Sequence, residues 1–206
     1  DTERSVENYS EELHELMQHL GYDRYTIIAH SMDGLYSLYY ANQYPDEVET
    51  FIGIDAAAPA PIEEADHEAY ASAKNLRIIM IQSGLVRLAS SEEVIKDQFS
   101  SAKADELELC KALWCLAQYN DTRLNEYKNM VSNEEKCMNL TFPDTVPVLY
   151  ILANDTVSED AKWEQLHKDV ITNKDSKVSI ISGDHYLHQS NQQGLVDEIT
   201  SWDVRH

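Results

Sequence analysis

Along the first sixty residues the apolar positions change period three times. From Ser5 to Leu20, Val6, Leu13, Leu16, Met17 and Leu20 recur at helical spacing, with Glu3, Glu7, Glu11, Glu12 and Glu15 on the other positions. That pattern predicts an amphipathic helix, and Gly21 suits its stop. Tyr25 to Ala29 then reads as a short buried strand, and Leu35, Leu38, Tyr39 and Tyr40 restore the helical period up to Tyr44-Pro45. Val48 to Ile54, with FIGI at its centre, predicts a second strand. Strand, helix and strand joined by a crossover of this length predict a βαβ unit, hence parallel pairing and a mostly parallel α/β sheet flanked by helices.

The alternation then breaks. Ala65 to Leu88, Ser90 to Ala102, Ala104 to Tyr119 and Asp121 to Lys136 all carry helical spacing with no convincing strand between them. Strands resume at Val146 to Ala153, whose near-continuous apolar content suits a sheet covered on both faces. A helix over Ala161 to Ile171, a strand over Val178 to Ser182 and a closing helix over Gln192 to Trp202 follow. The expected organisation is a core of residues 1–60 and 141–206 interrupted by a helical insertion, residues 61–140. Leu113, Trp114, Tyr119 and the Ile78-Ile79-Met80-Ile81 run are apolar enough to line a pocket, although such faces more often pack on each other.

Composition narrows the partners. A formal net charge of -21 on 206 residues repels phosphate backbones and anionic lipid surfaces, so neither nucleic acid nor a membrane is an expected partner. Cys110, Cys115 and Cys137 form no paired CxxC spacing, and an odd number cannot close a full disulfide framework. They read as small apolar residues in a reducing compartment. With no basic, apolar leader at the start, the expectation is a soluble cytoplasmic protein.

The candidate chemistry sits at strand ends. Ile27-Ile28-Ala29-His30-Ser31-Met32-Asp33-Gly34 runs from a strand through a serine into a helix, the arrangement of a nucleophile elbow. Two later loops also follow strands: Leu152-Ala153-Asn154-Asp155, and Ser182-Gly183-Asp184-His185-Tyr186-Leu187-His188. In open parallel sheets, reactive groups collect where strands end at their carboxyl edge. The chain order is Ser31, Asp155, His185, that is Ser, acid, His.

These three motifs, AHSMDG, VPVLYILAND and ISGDHYLH, resemble the α/β-hydrolase superfamily in its cap-bearing esterase, lipase and peptidase branch, and the resemblance extends over essentially the whole chain. It implies Ser31 as nucleophile, His185 as general base and Asp155 as the carboxylate that orients the imidazole. The Met32 N–H is implied as an oxyanion donor, a kind of group worth about 2.7 to 4 kcal/mol where one has been removed. Asp55, ending the FIGI strand, is a second possible acid, because some members take it from that earlier strand. His188 competes with His185, and His30 reads as a packing or hydrogen-bonding residue. The implied substrate is a small ester, thioester or amide, with no metal and no organic cofactor.

The chain departs from that family in two places. Strands expected before the elbow strand are not found, so a missing or separate N-terminal segment is expected to complete the sheet and supply the second oxyanion N–H. Asp33 also stands two after the serine, where the family keeps a small residue because the helix passes close to the strand. Both departures leave an alternative open, a catalytically weak or inactive small-molecule-binding protein on the same scaffold.

Overall fold

The computed structural model describes residues 3–60, 75–76, 79–80, 83, 85, 91–99, 102–118 and 121–202. Much of the helix expected over Ala65–Leu88, including Ile78 and Ile81, lies outside the described residues, as does Tyr119. The chain divides into two compact units: Ser5–Pro61 with Ser132–His206, and Ile62–Val131 with Asp1–Arg4. Residues 132–140, expected in the insertion, therefore go with the sheet. Asn133 Oδ1 accepts the Val6 N–H at 3.0 Å, and Cys137 is buried in the sheet's core.

In the sheet-bearing unit, helix α1 (Val6–Leu20) starts at Ser5, whose Oγ accepts the Asn8 N–H. Then come β1 (Tyr25–His30), α2 (Asp33–Gln43) and β2 (Val48–Ile54). The insertion-side helices are α3 (Glu92–Gln98), α4 (Leu107–Gln118) and α5 (Asp121–Cys137), the last running across the boundary between units. The core resumes with β3 (Val148–Ala153), α6 (Asn154–Glu159), α7 (Trp163–Asp169), β4 (Lys177–Ile181), α8 (Leu187–Ser190) and α9 (Gln192–Ser201). The short helices α6 and α8 occupy stretches that read as loops.

The four described strands form one parallel sheet in the order β1-β2-β3-β4. All six residues of β3 are buried. Their side chains alternate between two cores: Val148, Tyr150 and Leu152 join Phe51, Leu38 and Leu35 on one face, while Leu149, Ile151 and Ala153 join Ile52, Leu187 and Leu195 on the other. A strand covered on both faces can be apolar throughout, which is why its alternation is invisible in the sequence. Among the described strands β1 pairs only with β2, and Ile28 is 59% exposed.

Parallel register aligns the strand ends. His30 lies beside Ile54, Ile54 beside Ile151, and Ala153 beside Ile181. The residues that follow these ends, Ser31, Asp55, Asn154 and the 182–186 loop, therefore share one edge of the sheet. In the other unit Ile95 is buried and Phe99 packs edge-on against Trp114 with ring centroids 6.0 Å apart. No helix among the described residues is long and apolar enough to cross a membrane.

Candidate active site

Two non-glycine residues of the described chain have positive φ, and they end adjacent strands: Ser31 at φ 56° and Asp55 at φ 40°. Such left-handed positions cost of order 1 to 3 kcal/mol and persist where the surroundings over-determine them. At Ser31 the determinants are the backbone donors of Gly34 and Ala57, which reach its carbonyl at 3.1 and 2.7 Å. Gly34 makes the second contact sterically possible, because a Cβ there would sit 2.3 Å from the Ala57 oxygen. The close approach between helix and strand falls on Gly34, so Asp33 meets no such crowding and its side chain is exposed.

The kink turns Ser31 Oγ toward His185, whose Nε2 lies 3.0 Å away. The other imidazole nitrogen, Nδ1, is 2.7 Å from Asp55 Oδ2. Asp55 is fully buried and accepts three further hydrogen bonds: Thr156 Oγ1–H at 2.6 Å, the Ala153 N–H at 3.0 Å and the Trp163 indole N–H at 3.2 Å. Burial alone pushes its pKa up. The hydrogen bonds from His185, Thr156, Ala153 and Trp163 outweigh that and hold the carboxyl below the ordinary aspartate value. His167, also fully buried, fastens the Asp55 turn to α7, its Nε2 2.7 Å from the Ala56 carbonyl and its Nδ1 2.6 Å from that of Trp163. Burial is the larger influence on this ring and keeps it below an ordinary histidine, against the two carbonyls.

Met32 precedes the first residue of α2. Its backbone N–H lies at the start of that helix, where donors lack intrahelical acceptors and the helix dipole favours negative charge.

Ser31 and His185 come within hydrogen-bond distance, as their motifs lead one to expect, and Met32 follows Ser31 at the start of α2. Asp155 does not. It is the second residue of α6, its side chain is exposed, and among the described residues no hydrogen bond or ion pair joins it to His185. The expected acid is corrected to Asp55. Asp155 belongs to the helix after β3, whereas β2, which Asp55 ends, is the strand paired with β1. What Asp155 supplies is its backbone N–H, which reaches the Gly183 carbonyl at 3.3 Å. His188 is exposed on α8. Thr156 and Trp163 carried no signal in the sequence: each contributes a single donor from a helix whose period only reports burial.

The family model described as the alpha/beta hydrolase fold matches residues 2–94. The chain has the α/β-hydrolase fold. A marine microorganism esterase has 22% sequence identity to this chain and a TM-score of 0.60, over 96% of the present chain and 76% of the esterase. Uncharacterized protein YbdG of Bacillus subtilis is 24% identical over 180 residues, covering 82% of this chain and 55% of its own. A serine hydrolase-like protein of Danio rerio is 21% identical over 212 residues, covering 94% of this chain and 65% of its own. The chain thus spans between 55% and 65% of the length of these two curated relatives.

Proposed function

We propose that the protein is a serine hydrolase that cleaves a small ester, thioester or amide through an acyl-enzyme. The observation carrying this reading is the continuous relay from Ser31 Oγ to His185 Nε2 at 3.0 Å and from His185 Nδ1 to Asp55 Oδ2 at 2.7 Å. Similarity to an esterase and to a serine hydrolase-like protein supports it. Ser31 Oγ attacks the carbonyl carbon while His185 Nε2 takes the hydroxyl proton, which adds about 10² to 10⁴ in rate. The carbonyl π electrons move onto oxygen, and the Met32 N–H meets the resulting oxyanion. The tetrahedral adduct collapses as His185 returns the proton to the leaving group, leaving Ser31 acylated. Water activated by the same imidazole then releases the acid and restores the serine. Asp55 holds the ring with Nε2 facing Ser31 and stabilises the imidazolium formed in each half-reaction.

A further strand alongside β1 belongs to the same proposal. Beside β1, on the side where no described strand pairs, lies a groove of about 280 Å³ lined by Tyr9, Leu13, Ile27, Ile28 and Tyr36, and among the described residues the buried Ser10 hydroxyl at this groove has no hydrogen-bond partner. An extended segment paired there buries this surface and brings backbone donors up to the Ser31 end of the strand.

A fluorophosphonate probe incubated with the folded protein is expected to modify Ser31, located by peptide mass spectrometry, and Ser31→Ala to abolish the adduct. A folded wild type that stays unmodified while a small ligand raises its melting temperature replaces this reading with a binding scaffold.

A further inference from the structure

The loop carrying the base is held largely by its own neighbours. Asp184 Oδ1 accepts the Tyr186 N–H at 2.8 Å, Ser190 Oγ accepts the Asp184 N–H at 3.2 Å, and Asn191 Nδ2 donates to the Ser182 carbonyl at 2.7 Å. Gly183 stands at φ +142°, and a Cβ there would meet Ser190 Oγ at 2.7 Å. None of these bonds sets the distance between the loop and Ser31. One contact from β1 does: His30 Nε2 lies 2.8 Å from the main-chain carbonyl of His185.

Building on the serine-hydrolase reading, we infer that His30 is a positioning residue, whose Nε2–H donates to the His185 carbonyl and locks the base-bearing loop to the strand that carries the nucleophile. His30 is the last residue of β1, so one dipeptide, His30-Ser31, holds both the attacking hydroxyl and the anchor of its base. The ring is half-buried, and its centroid lies 4.6 Å from that of His185, 5.1 Å from His188 and 5.5 Å from Tyr186. A carbonyl only accepts, so the bond requires hydrogen on Nε2 of a neutral or protonated ring. Burial is the largest influence and lowers the ring's pKa; the His185 carbonyl comes next and raises it, the neighbouring His185 and His188 lower it and Asp55 raises it, and the balance lies below an ordinary histidine. On the neutral ring the carbonyl contact places the hydrogen on Nε2. The His185 side chain pivots from the residue whose carbonyl is pinned. A shift of this pivot moves Nε2 off the Ser31 hydroxyl, 3.0 Å away.

The tautomer is read directly from 15N shifts of the histidine rings in the intact protein, whatever the activity. Nε2–H at His30 at neutral pH is expected, and an Nδ1–H tautomer overturns the inference. In kinetics on an ester that acylates Ser31, His30→Phe keeps a ring and removes the donor. It is expected to lower kcat by about 10- to 100-fold with KM changed less than about twofold, a loss of the size that misplacing a reacting group produces. His30→Gln, which restores an N–H donor, is expected to recover most of kcat. Wild-type kcat in a folded His30→Phe protein overturns the inference, and so does equal loss in both variants accompanied by equal loss of melting temperature, which marks a purely structural side chain. Absence of the Ser31 adduct in wild type overturns the serine-hydrolase reading instead, and leaves the tautomer result to decide on the His30 contact.

Discussion

Two aspartates follow buried strands at the same edge of the sheet, and they have opposite fates. Asp55 ends β2 in a left-handed turn, wholly enclosed, with four donors on its two oxygens. Asp155 stands in the first turn of α6, exposed. Both occupy position and chemistry suited to an acid partner for His185. What separates them is the backbone after the strand. The kink at Asp55 turns the carboxylate inward across the strand ends, whereas the immediate start of a helix after Ala153 leaves the Asp155 side chain in water and presents its N–H to the loop instead. An acid next to a base is selected by the donors that can reach it, and order along the chain carries little of that information.

The contrast is broken most severely by Asp55→Asn. The amide keeps the volume but presents an N–H where His185 Nδ1 needs an acceptor, favouring the wrong tautomer. A loss of about 10⁴ in kcat is expected, as for the equivalent change in a Ser-His-Asp triad, measured by ester hydrolysis on protein shown to be folded. If Asp55→Asn turns over at the wild-type rate, Asp55 is not the acid.

A smaller effect sharpens how the carboxylate is kept ionised. Thr156→Val removes the 2.6 Å donor and leaves Asp55 Oδ2 with His185 alone. The expected loss of stability is about 1 to 3 kcal/mol by denaturant titration. Its pH dependence has a definite sign. A carboxyl held below its unfolded pKa contributes stability above that value, about 3.9, and loses it as pH falls through the folded value. Losing the Thr156 donor raises the folded value, so the acid limb of the melting curve in Thr156→Val is complete at a higher pH than in wild type. An unmoved acid limb contradicts the assigned cause.

The smallest effect is expected where the sequence pointed most directly. Asp155→Asn alters an exposed side chain and keeps the backbone N–H, so kcat/KM within about twofold and stability within about 0.5 kcal/mol of wild type are expected. A drop approaching that of Asp55→Asn would reverse the comparison.

Much of the architecture was legible because it rests on period. The 3.6-residue spacing of Leu35 and Leu38 and the continuous apolar run of Val148–Ala153 both report burial, and both elements form where expected. Ser31 and His185 were legible for a different reason: a kink between strand and helix, and a loop with Gly183 before Asp184-His185, constrain which residues fit. Asp55 was visible only as a competitor to Asp155, since the order of strands in a sheet is not written in either strand's own residues. Thr156 and Trp163 were not legible at all, because a single donated hydrogen bond leaves no periodic trace. The crowding expected at Asp33 falls one residue later, at Gly34, where the Ala57 backbone passes.

The unshared side of β1 has a consequence for how the protein behaves in bulk. Among the described residues no strand pairs with the far side of β1 and Ile28 is 59% exposed; wherever the proposed further strand does not cover it, such an edge is adhesive, and a net charge of -21 is the force available to keep two such edges apart. Repulsion of that kind acts over a Debye length, about 10 Å at 0.1 M salt and about 3 Å at 1 M. Colloidal stability is therefore borrowed from ionic strength: dilute buffer keeps the edges apart, and concentrated salt allows self-association at this edge with no change in the fold of either molecule.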